Sequence, residues 1–470
     1  APLAEPKVAG PHGETILAGL KWLARHQSGD GHWDATGYSK QCEGRECDGT
    51  GLNDFDAGLT GLSILAFLDA GFTPQSPTAF GQTVKKGLQW LVDKQGADGG
   101  IGPRVGEFMY NHAIATYALA EYFRLRYGGK ETPEAAKDVL REPAQRAVTF
   151  LEKAQNPGLG WRYTPRSGNN DTSVTGWCVM ALRSARLAKL TVKDKTFDGA
   201  WTWFDRVTDK NTGHVGYDRY GSGEIYVPGK NEKWLHHPTM AAVAVACDPG
   251  ELGLGTNPQS PPSLHASVKL VMADLPKWDP AAPNPPNDFY YWYHGTRAIG
   301  LHHASDSATW KTWSRAIVKA LVPHQRNASD GCSEGSWDTD GVDRWAYAGG
   351  RVYATAINVL TLGVVNRGPE KRTRFVVRIQ NDTGHPIEPG FLSVPPKEFI
   401  RTLDLKVVMA GKSHAWTLDY VPDSVTVTKA VEFIGPAEAP ASEEKKLPRK
   451  TLTLGKDYQK DSTGVTITYP

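Results

Sequence analysis

Apolar residues recur along this chain at two different spacings. From about residue 14 to about residue 365 they return every three or four positions with charges between them, the period of an amphipathic helix. From about Arg374 onward they alternate with polar residues, as in RFVVRIQN, LDLKVVMA, HAWTLDYV, SVTVTKAVEFI, KTLTL and GVTITYP, the period of a strand. The pattern predicts a helical domain over 1–366 and an all-β domain over 367–470.

The helical part divides again. Six segments are clear amphipaths: GLKWLARHQ (19–27), GLQWLVDKQ (87–95), AVTFLEKAQ (147–155), AWTWFDRVT (200–208), VKLVMADLP (268–276) and AIVKALVPHQ (316–325). Each precedes a more apolar helical segment that holds a Thr near its start. The six are Thr60, Thr116, Thr175, Thr239, Thr296 and Thr355, spaced 56, 59, 64, 57 and 59 residues apart. Regular spacing of this kind marks internal repeats. Gly-rich turns carrying an aromatic follow several of the amphipaths, in QSGDGHW (27–33), QNPGLGW (155–161) and QRNASDGCSEGSW (325–337); glycine there ends a helix and turns the chain.

Six helical hairpins can stack as an open solenoid, which needs polar capping repeats, or close into a double ring. The terminal repeats are as apolar as the middle ones, which favours closure. The expected fold is therefore mainly α, an (α/α)6 toroid of six helical hairpins with the apolar helices inside and the amphipathic ones outside. A C-terminal β-sandwich of about 100 residues is expected to follow. Within it GPAEAPASEEKK (435–446) reads as a polar loop, and LTLGKDYQKDSTGVTITY (452–469) as a hairpin turning at Ser-Thr-Gly.

The Gln-x-x-x-Gly-x-Trp turns resemble the QW repeats of the squalene-cyclase and protein-prenyltransferase toroid superfamily. MYNHAIATYALAE (109–121), GWRYTPRSGNNDTSVTGWCVMALRSA (160–185), FYYWYHGT (289–296) and GSWDTDG…GGRVYATAINVLTL (335–362) resemble, more narrowly, exported bacterial prenyltransferase/squalene-oxidase-repeat proteins. The resemblance covers roughly residues 14–365 and implies the toroid. It does not choose a reaction, because the superfamily holds cyclases, prenyltransferase subunits and complement-type thioester domains, and polysaccharide lyases share similar toroids.

Composition narrows the partners. With 53 basic and 51 acidic residues the net charge is only +2, which leaves no electrostatic footprint for nucleic acid. No run of eighteen apolar residues occurs, so no membrane span is expected. The start, APLAEPKVAGPHGE, reads either as a mature N-terminus or as an artificially trimmed one; the first alternative fits an exported (periplasmic or extracellular) protein. Of five cysteines, Cys42 and Cys47 share a polar loop and are placed to close a small disulfide. Cys178 and Cys247 read as core, and Cys332 as a loop residue. No Cys-x-x-Cys pair exists, so no zinc–thiolate site is expected.

In a closed ring one end of every inner helix borders the same mouth. Four residues before each repeating Thr stand Asp56, His112, Asp171, Leu235, Trp292 and Arg351, on the helix face that the Thr occupies. Tyr110, Asn111, Asn170, His237, Tyr291, Tyr293, His294 and Tyr353 flank them. Capping explains Asp56 and Asp171 singly. Capping alone would repeat Ser, Thr, Asp or Asn around the ring, so the variation points to a site.

Several chemistries fit these residue types. β-Elimination on an acidic polysaccharide would use Arg351 or Asn111 to neutralise a uronate, and His112, Tyr293 or Tyr353 as base and acid. Tyr110, Trp177, Trp292, Asn111 and Asn170 would hold the sugars. A divalent metal, zinc or calcium, would sit on Asp56, His112 and Asp171. Prenyltransferase subunits place zinc at a similar mouth with Asp, Cys and His, but here the only Asp-x-Cys, Asp330-Gly331-Cys332, lies in a loop. Terpenoid cyclisation needs an Asp-x-Asp-Asp acid, and the nearest text is DTDG (338–341). GCSEG (331–335) faintly resembles a thioester motif. A non-catalytic cell-surface module for glycan or protein stands beside these. The reading is an exported toroid protein that binds or cleaves a polysaccharide, with no nucleic-acid partner.

Overall fold

The amphipathic and apolar segments alternate as helices in a computed structural model of the chain. The structure describes residues 3–369, apart from 45, 227–232, 236, 253, 255–262, 280–286, 304, 306 and 340–341; within 371–470 it describes the strands alone. The chain forms two compact units, 1–370 and 371–470.

In the first unit the amphipaths are α1 (Gly13–Arg25), α3 (Ala79–Asp93), α6 (Arg141–Ala154), α8 (Asp194–Val207), α11 (Ser263–Ala273) and α13 (Ala308–Leu321). The Thr-bearing helices are α2 (Asp56–Asp69), α4 (Phe108–Tyr127), α7 (Thr172–Leu187), α9 (His237–Ala246), α12 (Phe289–His302) and α14 (Ala346–Arg367). Two short helices, α5 (Pro133–Lys137) and α10 (Pro249–Leu252), and a hairpin of β1 (Glu224–Tyr226) with β2 (Lys233–Leu235), fill connections. Arg367 ends α14 and so belongs to a helix, not to the β region in which the alternation placed it.

The packing is a closed double ring. Helix α2 packs on α4, α4 on α7, α7 on α9, α9 on α12, α12 on α14, and α14 back on α2. The outer helices lean on this ring, and α1 closes it a second time by packing on α14. Layering follows the sequence pattern. In α3 the buried residues Phe80, Val84, Leu88 and Leu91 return every three or four positions, whereas α2 is buried at every residue from Ala57 to Leu68. Helix α14 is long and apolar enough to cross a membrane by length and composition, but 78% of its apolar window is buried in the ring.

The Gln-Gly-Trp turns fasten neighbouring repeats. Gln27 Nε2 donates to Gly31 O (2.7 Å) in its own turn and to Thr83 O (2.9 Å) in the next outer helix. Gln95 bonds Gly99 O and Pro143 O, and Gln155 bonds Leu159 O and Thr196 O, in the same way. Gln325 repeats the bond across the seam: Gly335 O at 2.8 Å and Thr15 O at 2.9 Å. Each such bond is worth about 1 kcal/mol net, so the pattern adds up around the ring. Gly335 has φ +91°, and a Cβ there would stand 2.2 Å from Ala18 O; only glycine lets the last turn approach α1 so closely. Trp33, Trp161 and Trp337 lie beneath these turns and donate Nε1–H to Leu23 O, Leu151 O and Leu321 O.

In the second unit nine strands pair in three three-stranded sheets. They are β3 (Phe375–Asn381), β4 (Ile387–Pro389), β5 (Leu392–Ser393), β6 (Ser413–Leu418), β7 (Ser424–Val427), β8 (Ala430–Ile434), β9 (Glu443–Leu447), β10 (Lys450–Thr453) and β11 (Gly464–Tyr469). The sheet orders are β10-β7-β5, β11-β3-β6 and β4-β8-β9. Two local expectations are corrected. The expected terminal hairpin does not form, because β11 pairs parallel with β3 while β10 pairs with β7. The end of the expected polar loop at 435–446 is strand β9.

Candidate functional site

All six inner helices begin at the same end of the ring, and a cavity lies among those N-termini. Its space for the centres of water molecules is about 190 Å³. Tyr110, Tyr163, Tyr217, Tyr290, Tyr347 and Tyr353 line it with Trp177, Trp345, Phe55, Asn111, Ser173, Thr239 and Glu107. The six tyrosines are each partly exposed. Hydroxyls are linked across the walls. Tyr110 donates to Ser173 Oγ (2.6 Å), Ser173 Oγ shares a bond with Tyr290 (2.6 Å), and Tyr163 shares one with Tyr217 (2.6 Å). Tyr353 Oη is buried and has no hydrogen-bond partner. Among the described lining residues Glu107 is the one ionisable acid or base besides the tyrosines.

The expected ring four residues before each Thr does share a face with the Thr, but in α2 and α7 that face turns away from the cavity, while in α9 Thr239 lines it. Thr60 accepts from Trp33 N and Thr175 from Trp161 N, each at 3.1 Å, so both point into the layer of Gly-aromatic turns. Residues two before the Thr are roughly 200° round the helix. Gly58, Ile114, Ser173 and Tyr353 stand there and line the cavity.

Each expected residue has a definite place. His112 is fully buried between the layers. Its Nδ1 accepts from Ile101 N (3.1 Å), which leaves Nε2–H to donate to Ala147 O (3.2 Å), and burial lowers its pKa to about 3. It is a neutral wall residue with both nitrogens engaged. Asp171 is the N-cap of α7, accepting from Val174 N at 2.7 Å. Burial raises its pKa to about 7, and its second oxygen has no hydrogen-bond partner. Asp56 opens α2 and accepts from Ala35 N at 2.8 Å; burial raises its pKa too.

Arg351 sits at the seam of the ring, bonded to Asp48, to Asp338 (3.0 Å) and to Ser336 (3.0 Å). Trp292 packs on Trp278 and Phe289. Tyr291 donates to Val271 O and Asp274 O. Asn170 accepts from Asn156. Leu235 lies in β2, and the side chain of His237 is outside the described ones. Of the residues expected to act together, Tyr110, Asn111, Trp177 and Tyr353 line the cavity. Both ends of the Asn111 amide are engaged, accepting from Gly58 N and donating to Asp54 O.

Tyr293 stacks on Trp177 at 5.8 Å and lines a separate, narrower cleft with Tyr117, Glu121, Asp69 and Arg297. His294 is enclosed by Trp177, Tyr290 and Tyr293, with no hydrogen-bond partner on either nitrogen; burial lowers its pKa far below the usual value.

Asp56, His112 and Asp171 are not brought close enough to share a metal ion, and each serves a separate backbone group. Among the described residues one group of His, Cys and carboxylate ligands lies close enough for a metal ion, and it is elsewhere: His26, Cys42, Cys47 and Cys332. Cys332, expected as a plain loop residue, is thus set beside Cys42, Cys47 and His26. Cys42 and Cys47 are free thiols, not a disulfide.

Sequence reading also passed over Asp288 and Asp343. Asp288 caps α12 through Tyr291 N (2.7 Å) and accepts from Trp345 Nε1 (3.1 Å); Asp343 accepts from Phe289 N (2.7 Å) and Trp345 N (3.0 Å). Burial raises them to about 6 and about 7. Tyr163 and Tyr217 were missed because they lie in turns, each two residues beyond the buried Trp161 or Val215.

No family model matches the chain, and no curated protein matches it. Solved structures with a similar course include an inactive variant of an α-1,6-mannanase of Salegentibacter sp. HEL1_6 in complex with α-1,6-mannotriose. It is 10% identical, with 75% of this chain and 99% of that one covered at a TM-score of 0.49. Cellobiose 2-epimerase from Spirochaeta thermophila is 15% identical (75% and 95%, TM-score 0.49). A type II terpene cyclase variant from Scytonema with geranylgeranyl dihydroxybenzoate is 13% identical (75% and 97%, TM-score 0.46).

Proposed function

We propose that the central cavity binds a neutral glycan. The observation that carries this reading is the described lining itself: tyrosine and tryptophan faces, linked hydroxyls, and Glu107 as the one carboxylic or basic side chain among them. Aromatic faces suit the apolar faces of sugar rings. Hydroxyls that both donate and accept suit sugar hydroxyls. A uronate would bring its negative charge to a wall whose described residues offer a carboxylate and no cation. Arg351, expected to neutralise it, is held at the seam by Asp48 and Asp338. Binding of a neutral glycan therefore replaces β-elimination of an acidic one as the favoured chemistry, and export to where such polymers lie belongs to the same proposal.

Calorimetric titration with matched neutral and uronate-containing oligosaccharides tests it. Neutral chains should bind, and Trp177→Ala should weaken them at least tenfold. Binding confined to acidic chains, or release of an unsaturated uronate, would overturn the reading.

One observation favours a second reading, acid-initiated cyclisation of an isoprenoid. Asp288 and Asp343 hold raised pKa values directly behind Trp345 and Thr239, both of which line the cavity. Conversion of a polyprenyl substrate by the wild type but not by Asp343→Asn would establish it.

A further inference from the structure

The cavity leaves unused the cluster of His26, Cys42, Cys47 and Cys332. His26 follows the last residue of α1. Cys42 and Cys47 lie in the loop before α2. Cys332 lies in a short helical turn (Ala328–Ser333) of the last repeat. His26 Nε2 stands 3.4 Å from Cys42 Sγ, 3.6 Å from Cys47 Sγ and 3.3 Å from Cys332 Sγ. All four ligand atoms lie within 4.8 Å of one another.

The three nitrogen–sulfur distances are close to the edges of a metal tetrahedron. With Zn–S near 2.3 Å and Zn–N near 2.0–2.1 Å, tetrahedral angles separate neighbouring ligand atoms by about 3.5–3.8 Å. A disulfide would draw two sulfurs to about 2.05 Å and leave the third thiol and the imidazole without a purpose.

The surroundings support the same chemistry. His26 Nδ1 donates to Trp22 O at 2.8 Å, which aims the Nε2 lone pair at the sulfurs; metal-bound histidines are oriented in this way. Cys47 N–H donates to Cys42 Sγ (3.3 Å), and Ser333 Oγ donates to Cys47 Sγ (3.6 Å). Such bonds stabilise thiolate charge. The imidazole is fully buried, stacked on Trp22 at 4.1 Å and edged by Tyr38 at 5.7 Å.

We propose that His26, Cys42, Cys47 and Cys332 bind one structural zinc ion that joins the first repeat to the last. Four protein ligands fill a tetrahedral zinc and leave no place for water or substrate, so the site holds structure and does no chemistry. Binding deprotonates the thiols and releases their protons to solvent. Its place gives it a purpose. Between repeats six and one the ring has no covalent continuity, and Gln325, Arg25 and Arg351 already bridge that seam, to Thr15 O, Glu334 O and Asp48.

The test uses the full chain, made without a polyhistidine tag and purified in reductant without chelator. Metal analysis should find one zinc per chain. Cobalt(II) exchanged for it should give intense tetrahedral d–d bands and a thiolate-to-metal charge-transfer band. Chelation should lower the Tm of the wild type, and Cys332→Ser should abolish both the retained zinc and that chelator effect. Should Cys332→Ser fail to fold, the wild-type cobalt spectrum still decides, together with protection of Cys42, Cys47 and Cys332 from alkylation until the metal is stripped. A reduced chain that takes up neither zinc nor cobalt, or Cys42 disulfide-bonded to Cys47 or Cys332 in protein isolated without reductant, overturns the proposal.

Discussion

The cavity draws its lining from all six inner helices, while the His26 cluster draws its ligands from the first and last repeats alone. Residues that hold the ring together are repeated around it: the Thr that meets a Trp backbone N–H, the Gln that bridges to the next outer helix, the Trp beneath the turn. Cavity residues occupy the opposite helix face, outside those repeated contacts, and change from Gly58 to Ile114 to Ser173 to Tyr353. The three cysteines of the seam, by contrast, are not part of the repeated pattern. They serve the one place where the chain does not continue from one hairpin to the next. Damage at the seam should therefore cost stability and leave cavity affinity intact in the folded fraction, and damage in the cavity should do the reverse.

The seam offers the largest effect of this kind. Gly335→Ala sets a Cβ 2.2 Å from Ala18 O at φ +91°. Strain and displacement together should cost about 2–4 kcal/mol. Gly158→Ala is the control: φ is +67° with nothing within 4 Å, so only the backbone term, about 1 kcal/mol, should appear. Denaturant unfolding of both variants reads the difference. Equal losses would mean that the last turn's approach to α1 is not what holds the seam.

How much of this was legible in the sequence depends on the range of the interaction. Helix period and Thr spacing exposed the double ring because both are local and repeated. The relation between Thr175 and Asp171 was also legible, since a four-residue step keeps one face. Which way that face turns was not. An inner helix such as α2 is buried on every side, so no polar stripe distinguishes the centre of the ring from its outer layer. His112 and Arg351 were placed at the mouth for that reason. The cysteines were hidden differently: Cys42 and Cys47 lack a familiar ligand spacing, and Cys332 reaches them only through ring closure. In the β region alternation identified strands, but the partner of β11 is β3, about 90 residues earlier, beyond any local signal.

The Thr face carries its own titration. Asp171 is held up to about 7 by burial against about 3.9 in an unfolded chain. The folded state then binds more protons than the unfolded one between those values, so this group's contribution is full below about pH 4 and is lost as pH rises through 7. Asp171→Asn keeps an N-cap acceptor and removes the titration. It should flatten the stability–pH curve relative to wild type by on the order of 2 kcal/mol between pH 4 and pH 7.5. Parallel curves for the two proteins would show that Asp171 is ionised in the fold. Cavity affinity should not change, because the carboxyl lies behind the wall.

The smallest change in stability is expected at the cavity itself, and it separates the two regions most sharply. Tyr353 Oη is buried with no hydrogen-bond partner. Tyr353→Phe therefore breaks no bond in the free protein and relieves a desolvated hydroxyl, so unfolding stability should stay within about 0.5 kcal/mol of wild type or rise. A hydroxyl kept without a partner inside an aromatic cavity makes sense if a ligand supplies the partner. Affinity for a neutral glycan should then fall by about 3–10-fold, the worth of one hydrogen bond. Unchanged affinity would detach Tyr353 from the ligand. A loss of stability without a loss of affinity would move it to the side of the molecule that holds the ring, with Thr355 two residues away on the opposite face of the same helix.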